Sequence, residues 1–317
     1  MAPFINTGSS PAMPIRGRTC SAARLGNVGG DPRRGWTPLA SILCGSVLLT
    51  SCQEGPLNPH GPIGEAERVI LYDATGIMLA VVIPVIVLTL AFAWWFRSGN
   101  RRASYRSEWE YSGRIELIIW AIPALVILFL GGMAWISSHE LDPPKPLNST
   151  AAPLEVEVVS LDWRWLFIYP HERIATVNYL VIPVDVPVHF RLTSTSVMNS
   201  FFIPELGSQI YTMPGMTTQL NLQADKLGSY SGISAQFSGP GFSDMRFGVR
   251  VESGAGFATW IAQAREQGGA LTDATFGELV RPTRGGGELT YGSVSNDPFE
   301  SIADGRVSTR WSTKEAL

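Results

Sequence analysis

Two long apolar runs restrict this chain more than any other feature. From Val69 to Phe96 the only charged residue is Asp73, near the start. From Ile115 to Ile136 the only one is Glu116, close to the first turn. About 20 apolar residues cross a hydrocarbon core of about 30 Å, so each run is long enough to span a membrane as a helix. Pro84 and Pro123 lie inside the runs and predict local kinks. The segment between them carries Arg97, Arg101, Arg102, Arg106 and Arg114. Glu54, Glu65, Glu67 and Arg68 precede the first run; His139, Glu140, Asp142 and Lys145 follow the second. The excess of arginine places the middle loop in the cytoplasm and both flanks outside. Trp94, Trp95, Trp120 and Trp135 lie near the span ends, where indoles prefer the interface.

The N-terminal segment agrees with that topology. Arg33 and Arg34 precede a shorter apolar run, Trp36 to Leu49, which ends in Leu49-Thr-Ser-Cys52. A basic segment, a short apolar stretch and a small-residue end form a secretory signal. The Leu-x-small-Cys ending resembles a bacterial lipobox, in which the cysteine is lipidated and becomes the first mature residue. An ordinary signal, or a short membrane segment with an incidental cysteine, is the alternative. In the lipobox reading Cys20 and Cys44 leave with residues 1–51, and the thiol of Cys52 carries lipid. No thiolate then remains for metal binding or a disulfide.

The rest of the chain changes texture. Leu154, Val156 and Val158 alternate with Glu155, Glu157 and Val159, and period two predicts a strand. Further strand-like runs are Trp163–Tyr169, Thr176–Ile182, Val186–Thr193, Thr217–Leu222 and Phe247–Glu252, separated by proline and glycine. Short strands with frequent turns predict a β-sandwich or barrel. From Gly256 the pattern turns helical, over Trp260–Glu266 and Thr272–Val280. The predicted organisation is a signal over 1–51, an outer segment over 52–68 and a hairpin over 69–137. A proline-rich linker over 138–153, the sandwich over 154–253 and a helical extension over 254–281 follow. The tail, 282–317, is expected to be mobile because it is glycine-rich and polar.

Composition fits a membrane protein with an exported domain. Charged residues make up only 16% of the 317 and hydrophobic residues 45%. A net charge of −3 argues against nucleic acid as a partner. The four histidines, His60, His139, His171 and His189, have no cysteine or second histidine at ligand spacing, and read as surface or loop residues.

Several longer stretches carry a resemblance. Val197-Met-Asn-Ser-Phe-Phe-Ile-Pro-Glu-Leu-Gly-Ser-Gln-Ile-Tyr211, Met213-Pro-Gly-Met216 and Gly232-Ile-Ser-Ala-Gln-Phe-Ser-Gly-Pro-Gly-Phe-Ser-Asp-Met245 resemble subunit II of heme-copper oxidases. Asp162-Trp-Arg-Trp-Leu-Phe-Ile-Tyr-Pro170 and Glu116-Leu-Ile-Ile-Trp120 fit as well. Within that superfamily the chain resembles the bo-type ubiquinol oxidases, from about Cys52 to about Val280. The resemblance implies a two-helix transmembrane hairpin followed by an extracytoplasmic, cupredoxin-like sandwich. It implies a proton-pumping complex of the bacterial inner membrane that oxidises ubiquinol and reduces oxygen to water. Subunits I, III and IV are the implied partners, with the sandwich in the periplasm and membrane lipid around the hairpin. Hemes and copper are expected in subunit I, and no cofactor in this chain.

Copper-bearing relatives have a histidine before the Ser-Phe stretch and then Cys-x-Glu-x-Cys-Gly-x-x-His-x-x-Met. Here the histidine positions hold Asn199 and Phe242, the cysteine positions Ser234 and Ser238, and the glutamate position Gln236; Met245 alone is kept. Copper sites of this kind need thiolate and imidazole, which serine and asparagine do not replace. The resemblance further places Glu116 at the mouth of a proton channel. The bland alternative for Glu116 is an interfacial carboxylate paired with Arg114. Trp163 and Trp165 are expected to pack in the core or dock on subunit I, and Met213, Met216 and Met245 to be core residues. A copper-carrying cytochrome c oxidase subunit and a free-standing lipoprotein binding module are the competing readings.

Overall fold

The computed structural model describes residues 55–104, 107–283 and 286–306. The expected signal with Cys20 and Cys44, the lipobox Cys52, and Arg106 lie outside the described residues.

The two apolar runs are helices, α1 (Pro62–Trp95) and α2 (Gly113–Glu140). Both are long and apolar enough to cross a membrane, and their most apolar stretches are not buried within the chain. Each is longer than its apolar run. Its 34 residues make α1 about 51 Å long, so it outlasts the hydrocarbon core at the Pro62 end. There it carries Glu65, Glu67 and Arg68, which the sequence reading left in an outer segment.

The rest forms two packed sheets. The strands are β1 (Leu154–Leu161), β2 (Arg164–Tyr169), β3 (Ile174–Val177), β4 (Tyr179–Pro183), β5 (Pro187–Ser194) and β6 (Asn199–Phe202). They continue with β7 (Gln209–Thr212), β8 (Thr218–Gln223), β9 (Gly228–Ser234) and β10 (Arg246–Glu252). After them come α3 (Gly254–Gln267), β11 (Gly269–Leu271), α4 (Asp273–Leu279), β12 (Leu289–Val294) and α5 (Phe299–Ala303). One sheet has the order β11-β12-β3-β2-β1-β5-β8, the other β4-β10-β9-β6-β7.

The single strand expected over Thr176–Ile182 is two strands in different sheets. Asn178 divides them with φ 60°, the left-handed region that asparagine tolerates better than most residues. Its side chain holds the corner, accepting from Trp165 N–H at 3.0 Å and donating to the Gly286 carbonyl at 2.7 Å.

Strand alternation distributes the aromatics between two cores. Trp165, Phe167 and Tyr169 point between the sheets, where they meet Phe190, Phe201 and Phe247. Leu166 and Ile168 point the other way and join Val159, Leu161, Ala175 and Val177. That second face is the reason the tail is ordered. An uncovered sheet face of this apolarity would be costly in water, and Phe276, Leu279, Val294, Phe299 and Ile302 cover it. β12 adds antiparallel to β3, pairing Leu289 with Val177 and Tyr291 with Ala175. The expectation of a mobile 282–317 tail therefore gives way to strand and helix as far as Ala303; residues 307–317 lie outside the described residues.

The hairpin is fastened to the sandwich at two places. At the start of α1, Gly64 N–H donates to the Leu206 carbonyl at 3.0 Å, and Glu67 accepts from Ser208 N–H and its hydroxyl, both at 2.9 Å. Gly207, at φ 89°, allows this approach: a Cβ there would lie 2.6 Å from Gly64 N. After α2, Asn221 N–H and its side-chain amide both donate to carbonyls at 2.9 Å, those of Pro143 and Pro144.

Candidate functional site

The stretches quoted for the degenerate metal motif come together at one end of the five-stranded sheet. β6 begins with Asn199, and β9 ends with Ser234. These strands pair through Phe201 and Ser234. From Ser234 the chain runs through Gln236 and Ser238, makes a 3₁₀ turn at Phe242–Asp244 and returns at Met245 into β10. Ser234 N–H donates to the Met245 carbonyl at 3.1 Å, which closes the loop.

Inside, the polar groups satisfy one another. Asn199 is 1% exposed and Ser234 5%. The Ser234 hydroxyl lies 3.2 Å from Asn199 Oδ1 and 3.3 Å from the Gln236 carbonyl, so one proton serves two acceptors. Asn199 Nδ2 donates to Ser160 Oγ and to the Val197 carbonyl, each at 3.3 Å. Ser160 Oγ is 2.9 Å from Thr212 Oγ1. The Ser238 hydroxyl lies 4.0 Å from the buried Met245 sulfur, a weak contact. Phe242 has its ring against Phe237, which is 71% exposed.

These donors do not fit copper of the kind the motif would hold. They are hydroxyls, one amide, backbone carbonyls and a lone thioether. None is a thiolate or an imidazole, the ligands such a site requires. Their lone pairs are also already used in mutual hydrogen bonds. Among the described residues no group of three or more His, Cys, Asp or Glu side chains is placed to hold a metal.

The two tryptophans have different places. Trp165 is wholly buried, edge-on to Phe201 and Phe247 at 5.4 and 5.6 Å. Nothing of it is available to dock on a partner. Trp163 occupies the β1–β2 turn at φ 66° and lies against Gly239 and Gly241. A Cβ on Gly241 would come within 2.3 Å of that indole, so the degenerate loop is moulded around Trp163. Met216 departs from expectation: it is exposed, because it sits in a β7–β8 turn rather than under a sheet, and Met213 is half-buried. His189, expected at the surface or in a loop, lies half-buried on β5, hydrogen-bonded to Asn221 at 2.9 Å.

Glu116 is far from this cluster. It is exposed in the first turn of α2, about 36 Å along the helix from the Glu140 end that leads to the sandwich. The pairing with Arg114 that belonged to the alternative reading is not formed; among the described residues Glu116 makes no ion pair.

Three buried carboxyl groups, Asp162, Glu157 and Glu205, were not picked out as sites by sequence. Asp162 accepts from the Ser196 hydroxyl beside the degenerate loop; burial pushes its carboxyl up, and that hydrogen bond opposes the rise. Glu157, with a side chain 4% exposed, points to the second core from β1. Arg191 reaches it at 2.7 Å, reaches Glu300 of α5 at 2.6 Å and lies over the Phe299 ring. Burial pushes Glu157 up to about 9, facing Asp297 adds to the rise, and Arg191 opposes it. The available signal was an acidic residue in a strand with apolar neighbours on both sides. Arg191 lies 34 residues away on β5 and Asp297 lies in the C-terminal tail, so no local pattern paired them with Glu157.

The chain is similar in sequence to known proteins. Residues 155–252 match the family described as cytochrome c oxidase subunit II, periplasmic domain. The chain is 48% identical over 267 residues to cytochrome bo(3) ubiquinol oxidase subunit 2 of Pseudomonas aeruginosa, covering 84% of this chain and 80% of that one. It is 49% identical over 243 residues to ubiquinol oxidase subunit 2 of Acetobacter aceti, covering 76% and 79%. Quinol oxidase subunit 2 of Bacillus cereus is 35% identical over 255 residues, with 79% and 88% covered. Among solved structures, the periplasmic domain of subunit II of cytochrome oxidase from Bradyrhizobium japonicum is 23% identical over 37% of this chain and 96% of that one, with a TM-score of 0.36.

Proposed function

This chain belongs to the subunit 2 family of the bo-type ubiquinol oxidases, and on that premise we propose that it is a noncatalytic subunit of its complex. The complex is a terminal oxidase, an oxidoreductase of the respiratory chain, and this chain is a membrane subunit of it. In the proposal, ubiquinol gives its electrons to subunit I, which holds the hemes and copper and reduces oxygen to water. This chain carries no redox centre. It contributes the hairpin that packs with subunits I, III and IV, and the sandwich that caps them on the periplasmic side of the inner membrane. Cys52 carries the lipid anchor, and Glu116 stands at the entrance of a proton channel into subunit I.

The neutral cluster at Asn199 and Ser234 is the observation that supports this most. In a copper-bearing subunit that position receives electrons from cytochrome c. Here it is filled by amide and hydroxyl groups bonded to one another, so an outside protein donor has no acceptor to reach. Trp163 and Trp165 serve packing in this reading, since both are buried.

The test is purification from membranes through a C-terminal tag, followed by heme spectra and oxygen uptake with a quinol or reduced cytochrome c. Co-purified heme with quinol-only activity is expected. Activity with cytochrome c would overturn the reading, and absence of heme would return the chain to the free-standing lipoprotein class. Glu116→Ala should slow quinol-driven turnover at unchanged heme content; unaltered turnover would remove Glu116 from proton uptake.

A further inference from the structure

The hairpin loop contains a feature that the oxidase reading does not use. Beyond the last turn of α1 the chain folds back and encloses an open cavity of about 770 Å³. Its lining includes Arg97 and Arg102, the indoles of Trp95 and Trp109, and the hydroxyls of Ser98 and Ser104. No carboxylate lines it, although Glu108 and Glu110 flank Trp109 in the sequence. Among the described residues neither Arg97 nor Arg102 has an ion-pair partner. Arg97 instead lies over the Trp94 ring at 5.1 Å, a contact that leaves its charge uncompensated. The turn is built rather than loose. Asn100 Nδ2 donates to the Trp95 carbonyl at 2.6 Å and caps the end of α1, while its Oδ1 accepts from Arg102 N–H at 3.1 Å.

Depth decides the ligand class. The cavity begins where the apolar surface of α1 stops, and Leu90, Phe92 and Trp94 are exposed along the helix just before it. A molecule seated there has a phosphate facing two guanidinium groups and acyl chains continuing down an apolar helix. Guanidinium pairs with phosphate in a planar, two-pronged geometry. We propose that the Arg97–Arg102 turn is a binding site for the headgroup of an anionic phospholipid, on the membrane side opposite the sandwich. The site anchors that end of the hairpin to the leaflet and stands apart from the oxidase reading. Basic pockets at helix ends are a recurring form of lipid recognition.

The test compares purified complexes by mass spectrometry of the retained phospholipids. R97Q/R102Q removes both lining charges. R101Q/R114Q removes two nearby charges, one in the loop and one in the first turn of α2, that do not line the cavity. With each arginine worth about fivefold in affinity, R97Q/R102Q is expected to lose anionic lipid roughly 25-fold while zwitterionic lipid stays constant. R101Q/R114Q should retain wild-type amounts. Equal loss in both variants would reduce the effect to diffuse surface charge and overturn the site. Absence of retained anionic lipid from the wild-type complex would mean that another subunit fills the cavity. Release of the lipid by inorganic phosphate would show that the acyl chains contribute nothing, and would overturn the choice of ligand. Quinol oxidase activity is read separately, so its loss would not be mistaken for loss of the site.

Discussion

At Asn199 the sandwich buries an amide among hydroxyls; at Glu157 it buries a carboxyl beside a guanidinium. Both clusters tie distant strands together inside one domain. The first uses groups that do not titrate near neutrality, so its hydrogen bonds are the same across the physiological pH range. The second holds a carboxyl that burial drives toward its neutral form, next to Asp297, Glu300 and Arg191. The neutral cluster stands where β6 meets β9, and the charged one where the C-terminal segment meets the sheet. Polarity without charge thus joins two strands of one sheet, while charge is kept for fixing a segment that local pattern does not specify.

The largest effect is expected from Arg191→Leu. It strips Glu157 and Glu300 of their common partner and removes the cation from Phe299. Burial holds Glu157 neutral, so no buried charge is stranded; losing the guanidinium's hydrogen bonds to the Glu157 carboxyl and to Glu300 costs about 3 kcal/mol, since a hydrogen bond to a charged group contributes about 1.5–3 kcal/mol. Denaturant unfolding of the full chain in detergent measures it. A loss within the range of ordinary surface substitutions would show that the charges do not hold α5.

Next comes the pH dependence. Glu157 is raised in the folded chain from 4.5 to about 9, so folding takes up a proton. Its contribution is full below the unfolded value and is lost as pH rises toward the folded one. Unfolding free energy should therefore decline across that window in the wild type, and Glu157→Gln should flatten the slope. The same slope in both proteins would assign the titration to another group.

Within the neutral cluster, Asn199→Ala leaves Ser234 and Ser160 short of a buried partner. It should cost about 1–3 kcal/mol with no change in pH slope. A pH-dependent loss would erase the contrast between the clusters. Ser238→Ala should do least, below about 0.5 kcal/mol, since its hydroxyl has only a sulfur at 4.0 Å. A cost equal to that of Asn199→Ala would show that the loop is more tightly coupled than its hydrogen bonds indicate.

Sequence made some of this legible for definite reasons. The hairpin is a matter of length and apolarity, which are local. The strands with alternating apolar residues were visible for the same reason. β6, β7 and β9 were not, because Asn199–Phe202, Gln209–Thr212 and Gly228–Ser234 are short and rich in polar residues or glycine. They are strands because neighbours supply their hydrogen bonds. β12 and α5 were missed because their apolar residues are few, and the face they cover is assembled from distant strands. The degenerate motif was visible as a set of substitutions, but its internal hydrogen bonds were not. Trp163 and Trp165 looked equivalent two residues apart; the positive φ of Trp163 itself, in the turn before β2, sets them apart.

The junction between α1 and the sandwich has a consequence for phase. α1 runs without a break from Trp95 to the turn gripped by Leu206, Gly207 and Ser208. Adding one residue to the helix below Gly64 would turn the sandwich by about 100° around the helix axis and lift it by about 1.5 Å. The second fastening, from Asn221 to the segment after α2, would resist that rotation. Helix register is therefore a coordinate of the whole chain: it sets which way the sandwich faces around the helix axis.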